Sequence, residues 1–163
     1  MWLLYHPVTQ ETVVLKQMFS EKPYRQERDV YLDINKQDPQ HKTIFKLLNH
    51  DDELQVLTIE RGDCDLKKFV ELRVKNDQPL TPNEIMYVFL ALLTHQQKLW
   101  EYGYAMCDMK EENVLLKLGE LGAGYTVKLA DMGGCWKRNS DQIYPQGYTM
   151  TYFDKAVLNK IEQ

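Results

Sequence analysis

The chain has 163 residues, 44% of them hydrophobic and 27% charged, the balance of a globular domain and not of a disordered or fibrous chain. Twenty Lys and Arg against 24 Asp and Glu give a formal net charge of −4, which argues against a dedicated nucleic-acid binder. The longest apolar runs, 1–5 and 87–93, are too short to span a bilayer. The amino terminus lacks the basic segment and cleavage site of a secretory signal, and three cysteines without a CxxC pair point to a reducing, intracellular setting, cytoplasmic by default.

In chain order, Trp2–Tyr5 and Thr12–Met18 are short β-rich runs joined by the turn-like HPVTQE. In the following stretch Tyr24, Glu27, Val30, Tyr31 and Ile34 recur three or four apart, which predicts one buried helical face, with Ser20 and Pro23 as start signals. Ile44–Leu48 and Leu54–Ile59 are two further strand candidates around the polar turn NHDDE. Glu60–Gly62 reads as a connector, and Asp65–Lys75 as a short helix. Thr81-Pro82-Asn83-Glu84 combines a Thr cap, a Pro in the first turn and a Glu three residues after the cap. The helix it opens should run to about Glu101, with Ile85, Val88, Phe89, Leu92, Leu93, Gln96 and Leu99 as a heavily buried stripe and Tyr102-Gly103 as its end. Val114–Leu118 and Thr126–Leu129 form a predicted hairpin around GELGAG. The order is a small β-rich unit with one helix, a connector, then a helical unit with a hairpin. A cleft between two unlike units is a natural ligand site.

Asp108, Lys110 and Asn113 share one loop after the long helix, and Asp131 follows at the end of the second hairpin strand with Gly133 behind it. Phosphoryl transfer needs these residue types: a carboxylate to orient or deprotonate the attacking hydroxyl, a Lys to offset phosphoryl charge, and a carboxylate and an amide oxygen to hold magnesium. Upstream, Lys16 ends the run VVLK and Glu27 lies on the apolar helix face. A buried Lys needs a partner, so these two read either as a structural ion pair or as a phosphate-contacting Lys steadied by Glu27.

These motifs together resemble a eukaryotic-type protein kinase of the Ser/Thr type. The D-x-K-x-x-N of Asp108, Lys110 and Asn113 is similar to that family's catalytic loop, and Asp131-Met132-Gly133 to its magnesium motif. Lys16 and Glu27 resemble its strand Lys and helix Glu. Ile59 and Glu60 resemble the gatekeeper and first hinge residue, and YTMTYF, with Thr149, the activation segment. The resemblance implies an α+β, two-lobed protein-kinase-like fold, partial at both ends, with residues 1–61 in the first lobe and 62–163 in the second. It implies ATP and Mg2+ as cofactors and a protein substrate phosphorylated on Ser or Thr. In that scheme Asp108 is the base and Lys110 offsets γ-phosphoryl charge. Asn113 and Asp131 hold magnesium, Lys16 set by Glu27 holds the α- and β-phosphates, and the backbone at Ile59 and Glu60 meets the adenine edge.

The departures point to a second reading. No Gly-rich loop precedes Trp2, Met106 and Cys107 stand where His-Arg precedes the catalytic Asp, Met132 replaces a Phe, and Ala156 stands in the place of a Glu. A degenerate kinase-like scaffold or interaction subunit, still able to bind nucleotide, is the alternative. With Cys107 in place of an Arg, phosphorylation of Thr149 or Ser140 has no guanidinium to engage. The chain also ends where the family's supporting helices should follow. The residues alone are therefore expected to leave Ile85, Phe89, Leu92, Leu93, Val114 and Leu116 wet, to lack kinase competence, and to need further chain or a partner over that surface. Neither nucleic acid nor a membrane is an expected partner.

Overall fold

A computed structural model describes residues 2–5, 12–119 and 124–138. The HPVTQE and GELGAG turns lie largely outside the described residues, as do Ser140, Thr149 and Ala156.

The β-branched and apolar runs near the amino terminus pair into a four-stranded antiparallel sheet. Its strands are β1 (Trp2–Tyr5), β2 (Thr12–Gln17), β3 (Leu47–Asp51) and β4 (Val56–Glu60), in the order β1-β2-β4-β3. Register pairs Val14 with Ile59 and Lys16 with Leu57. Helix α1 (Glu21–Gln37) buries Tyr24, Glu27, Val30, Tyr31 and Ile34, the face that the spacing predicts. Ser20 occupies its N-cap position without a side-chain cap bond. Beside that stripe, Asn35 Nδ2 donates to Leu47 O at 3.0 Å.

Two strand expectations need correction. The segment Ile44–Leu48 enters the four-stranded sheet only at Leu47. Phe45 N donates to Leu129 O, Leu129 N donates to Thr43 O, and Ile44 bridges Leu129 in parallel. Its first half is thus satisfied by a distant partner instead of by β4. The turn falls accordingly later: Asn49, His50 and Asp51 of NHDDE belong to β3, and Asp51 Oδ1 accepts from the amides of Glu53 and Leu54.

Past the connector come β5 (Cys64–Asp65), α2 (Leu66–Lys75) and α3 (Pro82–Glu101). Asp65 caps α2 by accepting from Lys68 N. At the start of α3 the capping box is complete, with Glu84 N donating to Thr81 Oγ1 and Thr81 N to the Glu84 carboxylate. Gly103, at φ 89°, makes the left-handed exit that L side chains disfavour. The heavily buried stripe on α3 is another correction. Val88 and Leu99 are buried, but Ile85, Phe89 and Leu93 are each more than half exposed. Val114 and Leu116, expected to be wet, are buried.

The predicted hairpin forms as β7 (Val114–Leu118) and β8 (Tyr125–Leu129), and β5 extends it to the order β5-β7-β8. A short ladder absent from the sequence reading joins β6 (Tyr104–Met106) to β9 (Cys135–Lys137). The described chain is thus an α+β fold of antiparallel sheets with three α-helices. One cluster of buried side chains runs from Tyr24 and Ile34 through Phe45 and Leu57 to Leu99, Leu116, Leu129 and Met132. None of the described helices is long and apolar enough to cross a membrane.

Candidate functional site

Strand β2 carries Lys16 toward α1, where Lys16 Nζ donates to both oxygens of Glu27, at 2.9 and 2.8 Å. The same ammonium donates to Asp131 Oδ1 at 2.8 Å. Glu27 is fully buried, while Lys16 and Asp131 keep 23% and 47% of their side chains exposed, so the ion pair opens toward solvent on one side.

Burial alone would lower the pKa of Lys16, but the carboxylates of Glu27 and Asp131 outweigh it and hold the amine above its ordinary value. Burial raises the Glu27 carboxyl, with Lys16 pulling against it. These two shifts favour opposite states of the pair. The Lys16 nitrogen lies at hydrogen-bond distance from both Glu27 oxygens, the geometry of an ammonium on a carboxylate.

Asp131 takes up a left-handed conformation, φ 59°, at the entry to the single turn Met132–Gly134. Asp tolerates that region better than most residues, and such backbone recurs at functional sites. Met132 is fully buried, and its amide steadies Glu27. A Cβ on Gly133 would lie 3.3 Å from both Asp131 Oδ1 and Glu27 Oε2, so a side chain there would press on both carboxylates.

The loop after β6 assembles a second group. Asn113, buried and at the end of a 3-10 turn (Glu111–Asn113), donates through Nδ2 to Asp108 O at 2.9 Å and Asp108 Oδ2 at 3.0 Å. Lys110 Nζ reaches Asp108 Oδ2 at 2.9 Å, and that contact leads the causes raising its pKa. The loop is braced from α2 by Lys67 Nζ on Glu112 Oε1, 2.9 Å.

A cavity of about 150 Å3 adjoins both groups. Lys16, Glu27 and Asp131 stand on its lining with Asn113, and Tyr31, Phe45, Ile59 and Leu115 supply apolar walls. Glu60 also lines it, although its amide is already engaged with Lys46 O at 2.8 Å. Gly62 lies beneath: a Cβ there would meet Leu115 Cβ at 2.9 Å and Phe45 Cζ at 3.0 Å, so the connector passes tight against the hairpin.

Every candidate site residue read from the sequence except Asp108 and Lys110 therefore borders this cavity, and those two are bonded to each other beside Asn113, which does. The sequence reading missed the groups that hold α1 to the segment after Asp131. Gln26 Nε2 donates to Gly133 O and Cys135 O at 3.3 and 3.4 Å. Asp33 Oδ2 accepts from Tyr104 Oη at 2.6 Å and from Lys137 Nζ at 3.4 Å. These partners lie 71 to 109 residues apart in sequence, and no local pattern marks them.

Among the described residues no group of three or more His, Cys, Asp or Glu side chains is arranged to hold a metal ion. Magnesium does not require one. It keeps several waters and takes one or two protein oxygens beside phosphate oxygens. Asp131 fits that donor set with its carboxylate, and Asn113 with its amide oxygen, since its Nδ2 is turned to Asp108. The chain matches no protein-family model, and no curated protein matches it.

Proposed function

We propose that the chain is a two-lobed protein-kinase-like domain that binds ATP with magnesium between its lobes and transfers the γ-phosphoryl group to a Ser or Thr hydroxyl of a protein substrate. Residues 1–61 would form one lobe and 62–163 the other. The observation that carries the reading is the Lys16–Glu27–Asp131 cluster sharing the lining of one cavity with an Asn113 that is bonded to Asp108. A structural ion pair accounts for Lys16 and Glu27 alone. It does not account for a third, half-exposed carboxylate on the same ammonium with an amide on the same cavity wall.

In this reading Lys16, oriented by Glu27, binds the α- and β-phosphates. Ile59 packs on the adenine ring, whose edge faces the backbone of the Glu60–Gly62 connector. Asp131 and Asn113 hold magnesium, which when bound neutralises phosphate charge. Asp108 accepts the proton of the attacking hydroxyl, and Lys110 offsets charge on the transferred group. The α1 ties through Gln26 and Asp33 keep Glu27 against Lys16 without a phosphorylated residue. This fits Cys107, which offers no phosphate-binding guanidinium.

One observation favours the alternative, a kinase-like interaction subunit. On α3, Ile85, Met86, Phe89, Leu90 and Leu93 are all more than half exposed, and a surface of that kind is ordinarily covered. A scaffold partner or further chain over this face would complete the support beneath the Asp108 loop. The deciding assay is phosphoryl transfer to a generic Ser/Thr substrate, by the chain alone and within its cellular assembly. Transfer abolished by Asp108→Ala supports catalysis. Nucleotide binding without transfer in either setting supports the interaction subunit.

A further inference from the structure

A second concavity, about 550 Å3, lies beside the first, with Glu60 on the lining of both. Thr12 and Val13 line it at the start of β2, while Val14 and Lys16 line the first cavity. Four cationic side chains line it, Lys46, Arg61, Lys117 and Lys128, against two carboxylates, Glu60 and Asp63. Both carboxylates are already engaged. Glu60 Oε2 accepts from Lys128 Nζ at 3.1 Å and from Lys46 N at 3.3 Å, and Asp63 Oδ2 accepts from Leu118 N at 2.8 Å. Lys117 Nζ meets only a neutral carbonyl, that of Arg61, at 3.0 Å. Among the described residues, no carboxylate lies within ion-pair distance of the Lys46, Arg61 or Lys117 side chains. His41, at φ 47°, lines the same cleft and buries its Nδ1 with no hydrogen-bond partner among those residues.

Four cations against two carboxylates, with Lys46, Arg61 and Lys117 in no ion pair among the described residues, leave an excess of positive charge in a concave site. They do so in a chain whose net charge is −4, so overall composition is not the cause. Burial, and then the nearby Lys46, lower the pKa of His41, with Asp38 pulling against them. A carboxylate offers two oxygens to these donors. A phosphate monoester offers three and up to two charges, and a guanidinium fork pairs with two of its oxygens at once. The cleft is larger than one phosphate, which leaves room for the organic part of an ester.

We propose that this cleft is a binding site for a phosphate monoester, held by Lys46, Arg61 and Lys117 with the His41 ring beside them. The inference does not rest on the catalytic reading, and none of these four side chains is assigned a role in phosphoryl transfer.

The test is a titration of the full chain followed by the NMR signals of the His41 imidazole, assigned with His41→Gln. Inorganic phosphate is one probe and a short phosphoserine peptide the other. Saturable shifts are expected. Affinity should fall about tenfold or more in Lys46→Gln and in Arg61→Gln, the scale of one lost hydrogen bond to a charged group. It should hold in Lys22→Gln, a change on α1 outside the cleft. Circular dichroism confirms that each variant is folded. Tighter binding of the peptide supports the monoester, and equal binding of the two probes, which shows a site that takes the phosphate group alone, overturns it. No saturation with either probe, or saturation unchanged in folded Lys46→Gln and Arg61→Gln, overturns it.

Discussion

Lys16 holds three carboxylate oxygens, and removing it leaves the Glu27 carboxyl unpaired in a fully buried position. Breaking a buried pair from one side costs several kcal/mol, whereas replacing both partners with apolar residues is often close to neutral. Lys16→Met should therefore destabilise the chain by about 3 kcal/mol, the lower end for such pairs because Lys16 is partly exposed. Lys16→Met combined with Glu27→Leu should recover most of that loss in urea unfolding. The pH dependence follows in sign. Burial already raises Glu27, and without the opposing Lys16 its folded-state value rises further above the unfolded one. A raised carboxyl stabilises the folded state fully below its unfolded value and loses that contribution as pH rises through the folded one. Lys16→Met should thus be more stable near pH 5 than near pH 8. At Gly133, an added methyl would press on Asp131 Oδ1 and Glu27 Oε2 together, each 3.3 Å away. Gly133→Ala should weaken magnesium-nucleotide binding several-fold in calorimetry with only a small shift in melting temperature.

Among the elements, α3 has the best-defined start. Thr81→Ala should cost about 1 kcal/mol, the ordinary value of an N-cap. Glu84 bonds Arg73 as well as Thr81, and these contacts, Arg73 first, pull its carboxyl down to about 2. A lowered carboxyl gives stability that is present above its unfolded value, 4.5, and is lost as pH falls toward 2. Glu84→Gln should be less stable at pH 7 and should flatten this part of the acid unfolding curve. The same helix shows how far periodicity reaches. Spacing found the side of α1 that is buried because the sheet covers that side in this chain. On α3 the spacing found an apolar side equally well, but none of the described residues covers Ile85, Phe89 or Leu93, and periodicity does not report what covers a face. Non-local pairing explains the other misses. Ile44 bonds toward Leu129 instead of β4, and β6 and β9, three residues each, form only because Met106 meets Cys135.

For the whole molecule, the apolar face of α3 should govern behaviour in solution. The isolated chain should self-associate, or be recovered within a larger assembly. Phe89→Glu with Leu93→Lys should reduce association in light scattering without lowering the melting temperature, since both residues are more than half exposed. Much of the candidate site was legible before the fold because Lys16, Glu27, Asn113 and Asp131 fall into short motifs whose chemistry restricts the residue types. Gln26, Asp33 and Tyr104 were not, because their bonds depend on how α1 lies over the segment after Asp131. The central claim is that Asp131 and Lys16 serve a magnesium-bound nucleotide. Calorimetric titration of ATP into the chain and into Asp131→Asn, with and without magnesium, tests it most directly. The account predicts binding that depends on magnesium and weakens at least tenfold in the variant, on the scale of a lost bond to a charged group. Equal magnesium-dependent binding by both proteins, or none by the parent chain, would contradict it.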